Sequence, residues 1–104
     1  MARLIWTEPA IADLEAIADY IAVDNPAAAS RLVHRVFESV QRLERFPSSG
    51  KRPPEMPQSC YREIVVTPCR IFYRVEDDAV LLLYVMRAER LLRRWQIEER
   101  NKIR

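Results

Sequence analysis

Between Tyr61 and Arg87 the chain reads YREIVVTPCRIFYRVEDDAVLLLYVMR, and no other stretch leaves it so few ways to fold. Three runs rich in Val, Ile, Tyr and Phe are divided by two turn signals, Thr67-Pro68 and Asp77-Asp78. β-Branched and aromatic side chains suit a pleated, half-buried surface, whereas proline and paired aspartates suit turns. The pattern predicts a three-stranded antiparallel meander with about 8 residues per strand. With even register at both turns, Arg62, Ile64, Val66, Ile71, Tyr73, Val75, Val80, Leu82 and Tyr84 share one face. The other face then carries Tyr61, Glu63, Val65, Arg70, Phe72, Arg74, Leu81, Leu83, Val85 and Arg87.

A meander needs a cover, and the first half of the chain supplies one. Arg3 to Trp6 is a short apolar run read as a strand at the sheet edge. Thr7 is a good N-cap, Glu8 suits the positive helix terminus and Pro9 fits the first turn. From there Ile11, Leu14, Ile17, Ala18 and Ile21 recur at helical spacing, predicting an amphipathic helix over Glu8 to Val23 with Asp13 and Asp19 turned elsewhere. Asn25-Pro26 starts a second helix striped by Ala29, Leu32, Val33, Val36, Phe37, Val40, Leu43 and Phe46, which Pro47 ends. Arg31, His34, Arg35, Glu38, Gln41, Arg42 and Arg45 take its outer face. The link between the helices is so short that they pack as an antiparallel hairpin. The three prolines of KRPPEMPQS make Lys51 to Ser59 a loop, with Lys51 and Arg52 as a basic spot.

The fold expected is therefore α+β: an N-terminal strand and a helix hairpin on a small antiparallel sheet, then a short C-terminal helix. A chain of 104 residues holds one core, so residues 1–104 form a single domain. No apolar run approaches the about 18 residues of a membrane span, and nothing resembles a signal peptide, so the expected location is the cytoplasm. One glycine rules out glycine-rich phosphate loops. Two cysteines, Cys60 and Cys69, and one histidine, His34, show no ligand spacing, so no metal and no cofactor are expected. Cys69 falls opposite Val66 with Cys60 several rungs away, which excludes a disulfide. The net charge of +2 does not mark a nucleic-acid binder. From Arg87 to Arg104, however, seven arginines and lysines face three glutamates, a pattern read first as a solvated helix face.

A single helix hairpin covers one face of a sheet. The other keeps Val65, Phe72, Leu81, Leu83 and Val85 among its arginines. Leu91, Leu92, Trp95 and Ile97 give the C-terminal segment Ala88 to Arg100 enough apolar surface to cover part of it. The remainder is expected to be an interaction site. The residues assigned to partner binding are Arg70, Phe72, Arg74, Leu81, Leu83, Val85, Arg87 and Trp95.

In this order of elements the chain resembles the RelE/ParE family of bacterial toxins, ParE-like branch. WTEPAIADLEAIADYIAVDNPAAA resembles the branch's first helix and helix turn, RLERFPSSGKRPPE its hairpin exit, and YREIVVTPCRIFYRVEDDAVLLLYVMRAER its sheet. The resemblance implies the toxin of a type II toxin–antitoxin operon, neutralised by a small antitoxin protein. It implies one of two targets, DNA gyrase for ParE-like members or mRNA in the ribosomal A site for RelE-like members. It leaves homodimer and hetero-oligomer with antitoxin both open.

RNA cleavage through the 2′-hydroxyl needs a proton acceptor, a proton donor and cations around the transition state. Arg62, Arg70, Arg74 and Arg87 are the candidate cations, and Glu63, with Tyr61 nearby, the candidate base. Nuclease relatives tend to carry a His or Tyr after the last strand; here none follows Tyr84. The end of that strand, where many relatives have a histidine, is Arg87, which keeps its proton and cannot act as a base. Lysines are also scarce, only Lys51 and Lys102. The favoured expectation is a gyrase inhibitor that acts by binding. The alternatives are a ribosome-dependent endoribonuclease and a degenerate member that only binds antitoxin and helps repress the operon.

Overall fold

The computed structural model describes residues 1–103. Its order is β1 (Arg3–Trp6), α1 (Glu8–Ala22), α2 (Pro26–Gln41), β2 (Tyr61–Val66), β3 (Cys69–Glu76), β4 (Ala79–Arg87) and α3 (Arg94–Ile103). The punctuation acts as the residue types require. The Thr7 hydroxyl accepts from Ala10 N–H at 3.3 Å and the Asn25 amide oxygen accepts from Ala28 N–H at 3.1 Å, each just ahead of a proline in the first turn. A 3-10 turn, Arg42–Glu44, finishes α2. Asp77 takes the left-handed φ of 53° that the tight β3–β4 turn needs.

The sheet has four strands in the order β1-β4-β3-β2. The meander is antiparallel, as its turns dictate, and β1 joins β4 in parallel, so the sheet is mixed. α1 and α2 cover one face, where Leu14, Leu32, Val36, Val40 and Leu43 meet Val66, Ile71, Tyr73, Val80, Leu82 and Val85. Val33 is only half-buried, and Phe37 and Phe46, read as part of the α2 stripe, are 45% and 62% exposed. Phe37 instead stacks at 5.1 Å on Trp6.

Two corrections concern the sheet. β2 and β3 pair in even register, with Val66 opposite Cys69 and Glu63 opposite Phe72. Between β3 and β4 the register shifts: Phe72 faces Tyr84, yet Tyr73 faces Leu82, so Leu83 is an extra residue in β4. Beyond it every side chain changes face. Val85 lies in the core under the helices, while Tyr84 packs on the opposite side with Met86. Arg87, expected opposite the helices, reaches α1 instead, its guanidinium 5.8 Å from the Tyr20 ring centroid.

The second correction concerns that opposite face, which is not open. Met56 from the proline loop and Leu92 and Ile97 from the C-terminal segment pack on Tyr61, Phe72, Leu81, Leu83 and Met86. Phe72 and Leu83 are 0% exposed and Leu81 1%. The C-terminal helix starts later than expected, at Arg94; Leu91, ahead of it, and Trp95, within it, face outward at 72% and 65% exposure.

The bulge also explains how α3 is held. An inserted residue leaves strand groups without ladder partners. Val85 N–H donates to Asp13 Oδ2 at 3.0 Å, and Leu83 C=O accepts from Arg100 Nη1 at 3.1 Å. Asp13 and Arg100 pair with each other at 2.8 and 3.0 Å, and the Arg100 guanidinium lies 4.1 Å from the Tyr84 ring centroid. One ion pair thus joins α1, the bulge and α3. Asp13 read from sequence as a residue turned away from the core.

Candidate functional site

Each arginine of the sheet is placed by its strand position, and the structure gives each a different neighbour. Arg70, near the start of β3, sits on the face opposite the helices, beside Glu63 of β2. Its Nε and Nη2 donate to the two oxygens of Glu63 at 2.9 and 2.8 Å. Nη1 and Nη2 donate to the two oxygens of Glu55, both at 2.8 Å, and Nη1 also donates to Arg90 C=O at 2.8 Å. All five guanidinium N–H groups are thereby used. Two bidentate pairs on one guanidinium form the strong, geometrically demanding kind of ion pair. Glu55 also accepts from Leu92 N–H at 2.9 Å, so the cluster ties the proline loop, the sheet and the C-terminal segment together.

The cluster is largely buried. The Arg70 side chain is 9% exposed and that of Glu63 1%. Hydrogen bonds from Arg70, then from the Leu92 amide, hold the Glu55 carboxyl down at about 2 against its desolvation. The two carboxylates raise Arg70 above its ordinary value. A group that takes up a 2′-hydroxyl proton must reach it within hydrogen-bond distance. Glu63 has both oxygens on Arg70 and is almost wholly buried. Tyr61 is buried at 5% exposure, and desolvation raises its hydroxyl above 10.0.

The other candidates are scattered. Arg74 does not join Glu63; its Nε donates to Asn101 of α3 and its Nη2 to Glu76, both at 2.9 Å. Arg62 donates to Gly50 C=O at 2.9 Å. Arg87 lies on the other side of the sheet, paired at 2.8 Å with Glu89. His34 is on the exposed face of α2. The structure therefore brings Arg70 and Glu63 together but keeps Arg62, Arg74 and Arg87 apart. Among the described residues no group of three or more His, Cys, Asp or Glu is arranged to hold a metal, and no helix is long and apolar enough to cross a membrane.

Of the residues assigned to partner binding, Phe72, Leu81, Leu83 and Val85 are interior and Trp95 is exposed. Outward-facing apolar side chains border clefts on both the sheet and the helix hairpin. Val65, at 49% exposure, and Leu91 rim a cleft of about 430 Å³ whose lining includes Lys51 and the Glu55–Arg70–Glu63 cluster. On the helix hairpin, Phe37 and Val33 border a second groove of about 630 Å³ floored by Ala18, Ala22 and Ala29. Sequence periodicity missed this face because Phe37 reads as one more residue of the α2 stripe. Tyr20, exposed at 73%, borders a different cleft with Ile17, Arg87 and Glu89.

The family described as ParE toxin of type II toxin-antitoxin system, parDE, matches residues 4–92. The chain is 36% identical over 92 residues to Toxin RelE2 of Caulobacter vibrioides, covering 88% of this chain and 100% of that one. It is 40% identical over 88 residues to Putative toxin Y4kP of Sinorhizobium fredii, covering 83% of this chain and 88% of that one. Among solved structures, the chromosomal ParDE TA system from P. aeruginosa superposes with a TM-score of 0.73 at 29% identity, covering 86% of this chain and 98% of that one.

Proposed function

The chain belongs to the ParE toxin family of type II toxin–antitoxin systems, and from that premise we propose that it acts in the cytoplasm by binding and inhibiting DNA gyrase, without cleaving RNA, until a cognate antitoxin silences it. The observation that carries the proposal is the sealing of Glu63. The best-placed candidate base is 1% exposed and spends both oxygens on Arg70, which spends every N–H on its own chain. Arg62, Arg74 and Arg87 are held in three separate places, so these described arginines do not converge on one scissile phosphate. With the candidate base Glu63 spent in this way, the reading that fits is a toxin that acts by occupying its target.

The antitoxin contact follows from what the surface still offers. With Phe72, Leu81 and Leu83 covered by α3 and the proline loop, the apolar anchors left include Phe37 and Tyr20 on the hairpin, Val65 on β2, and Leu91 and Trp95 on the C-terminal segment. Arg87, 39% exposed at its side chain, stands between the strand end and Tyr20 as a charged border.

The test is induction of the chain alone in bacteria, following DNA-damage response and transcript integrity together. Filamentation with intact transcripts is the expected outcome. Codon-dependent cleavage of translated mRNA would return Arg87 and its neighbours to a catalytic role. Unimpaired growth would leave only antitoxin binding and operon repression.

A further inference from the structure

Where β4 ends, the chain's own carboxylate stands in a cleft that it does not fill. Ala16, Ile17 and Tyr20 of α1, together with Arg87 and Glu89, line about 500 Å³. The frame around it is fixed. Ala88 N–H donates to Pro68 C=O at 2.8 Å, Arg90 N–H to Arg87 C=O at 3.0 Å, and Arg90 C=O accepts from Arg70. The main chain is thus anchored on both sides of Glu89, and α1 forms the opposite wall. The side chains are held far more loosely: Arg87 is 39% exposed, Glu89 64% and Tyr20 73%. Among the described residues the Arg87 guanidinium has one hydrogen-bond partner, Nε to Glu89 Oε2 at 2.8 Å, which leaves its Nη groups available. Its carbon lies 5.8 Å from the Tyr20 ring centroid. An ion pair this exposed is weakly held. Another carboxylate can take the place of Glu89 at little cost, and can do so with both oxygens.

Three features select the occupant. Glu89 itself shows that a carboxylate fits the cation. Ile17 and the Tyr20 ring set an apolar wall beside that cation, which a bare anion cannot use. α1 carries Glu8, Asp13, Glu15 and Asp19 with no lysine or arginine, so a polyanion such as a nucleic-acid strand is repelled along it. A peptide with one carboxylate next to an aliphatic or aromatic side chain meets all three conditions. Resting on the reading that an antitoxin silences this chain, we propose that the peptide is a segment of the antitoxin, whose carboxylate displaces Glu89 from Arg87 while its apolar neighbour packs on Tyr20. The anchored main chain presents the site ready-made, so only the Glu89 side chain has to move.

The test uses the full chain with the antitoxin of its own operon, and reads dissociation by surface plasmon resonance. Arg87→Gln is expected to dissociate at least about tenfold faster. Glu89→Gln is expected to dissociate about two- to fivefold more slowly, because the competing carboxylate is gone. Glu8→Gln makes the same charge change at the far end of α1 and should match wild type. Circular dichroism should be unchanged in all three, since each side chain is exposed or half-exposed. Glu89→Gln dissociating as fast as wild type or faster overturns the proposal, as does Arg87→Gln without effect. If the antitoxin fails to bind wild type at all, the silencing reading falls and takes this occupant with it; tight wild-type binding with equal rates across the variants overturns this site alone. Nuclear magnetic resonance separates the anion from the peptide: acetyl-leucyl-glutamyl amide is expected to shift the Tyr20 ring and Arg87 Nε signals, inorganic phosphate at equal concentration to leave the Tyr20 ring signals in place. Equal shifts with both overturn the proposal. So does a dimer of the chain alone that Arg87→Gln abolishes, which would assign the cleft to a second copy.

Discussion

Replacing Arg70 with methionine removes the positive charge from between Glu55 and Glu63 while keeping an unbranched side chain of similar reach. The strand pattern alone makes Arg70 an exposed groove residue whose loss changes activity and spares the fold. The structure reverses that expectation. Glu63 would stay at 1% exposure without either of its hydrogen-bonded pairs, and breaking a buried ion pair from one side costs about 3–5 kcal/mol. Domains of this size have roughly 5–15 kcal/mol in total. At about 4–8 °C per kcal/mol the melting temperature should fall by at least about 12 °C at neutral pH. Adding Glu63→Leu removes the stranded charge and should recover most of the loss, because an apolar pair of similar volume often replaces a buried ion pair at little cost. Glu55 tolerates this, since its side chain is 19% exposed and keeps the Leu92 amide. Thermal unfolding followed by circular dichroism reads both variants. An Arg70→Met chain that melts within about 2 °C of wild type would show that the cluster does not hold the fold.

The same cluster sets an acid limit. Glu55 titrates near 2 when folded and near 4.5 when free, so below about 4.5 the unfolded chain binds the extra proton and stability falls as pH drops toward 2. Urea midpoints across that range should decline in wild type and flatten in the Glu63→Leu, Arg70→Met double variant. Tyr73→Phe strands Gly50 N–H and Pro47 C=O, which the hydroxyl now joins at 2.9 and 2.7 Å, and should cost about 1–3 kcal/mol in the same assay. Gly50→Ala should cost more, since a Cβ there would stand 2.5 Å from the Tyr73 hydroxyl and 2.8 Å from Glu63 C=O. Asp13→Ala takes the acceptor from Val85 N–H and the carboxylate from Arg100, which keeps Leu83 C=O, and should cost roughly 1.5–3 kcal/mol. Amide exchange is expected to quicken in α3 and at Val85 before the rest of the sheet responds.

Where the sequence carries a local physical signal, it matches the structure closely. Thr7 and Asn25 cap where an oxygen is needed, and Thr67-Pro68 and Asp77-Asp78 turn the chain where proline and aspartate favour it. The β2–β3 register follows from even pairing about the Thr67-Pro68 turn, with Val66 opposite Cys69. The β4 bulge left no such mark. Leu81-Leu82-Leu83 is apolar throughout, and a run without alternation cannot show where one residue is inserted. Val85 and Arg87 changed face with it. The cover over Phe72 and Leu83 was hidden for another reason. It comes from three isolated residues, Met56, Leu92 and Ile97, two of them in irregular chain. Glu55, which turns Arg70 from a surface group into an anchor, lies among the prolines, where no periodicity points to a partner.

Under the proposed function this toxin works by contact and does not cut RNA. Purified chain titrated in parallel into a DNA gyrase supercoiling reaction and a translating-ribosome reaction tests it most directly. Loss of supercoiling with full-length mRNA is the result expected from a buried Glu63 and dispersed arginines. Codon-specific mRNA cleavage with gyrase unaffected would contradict it.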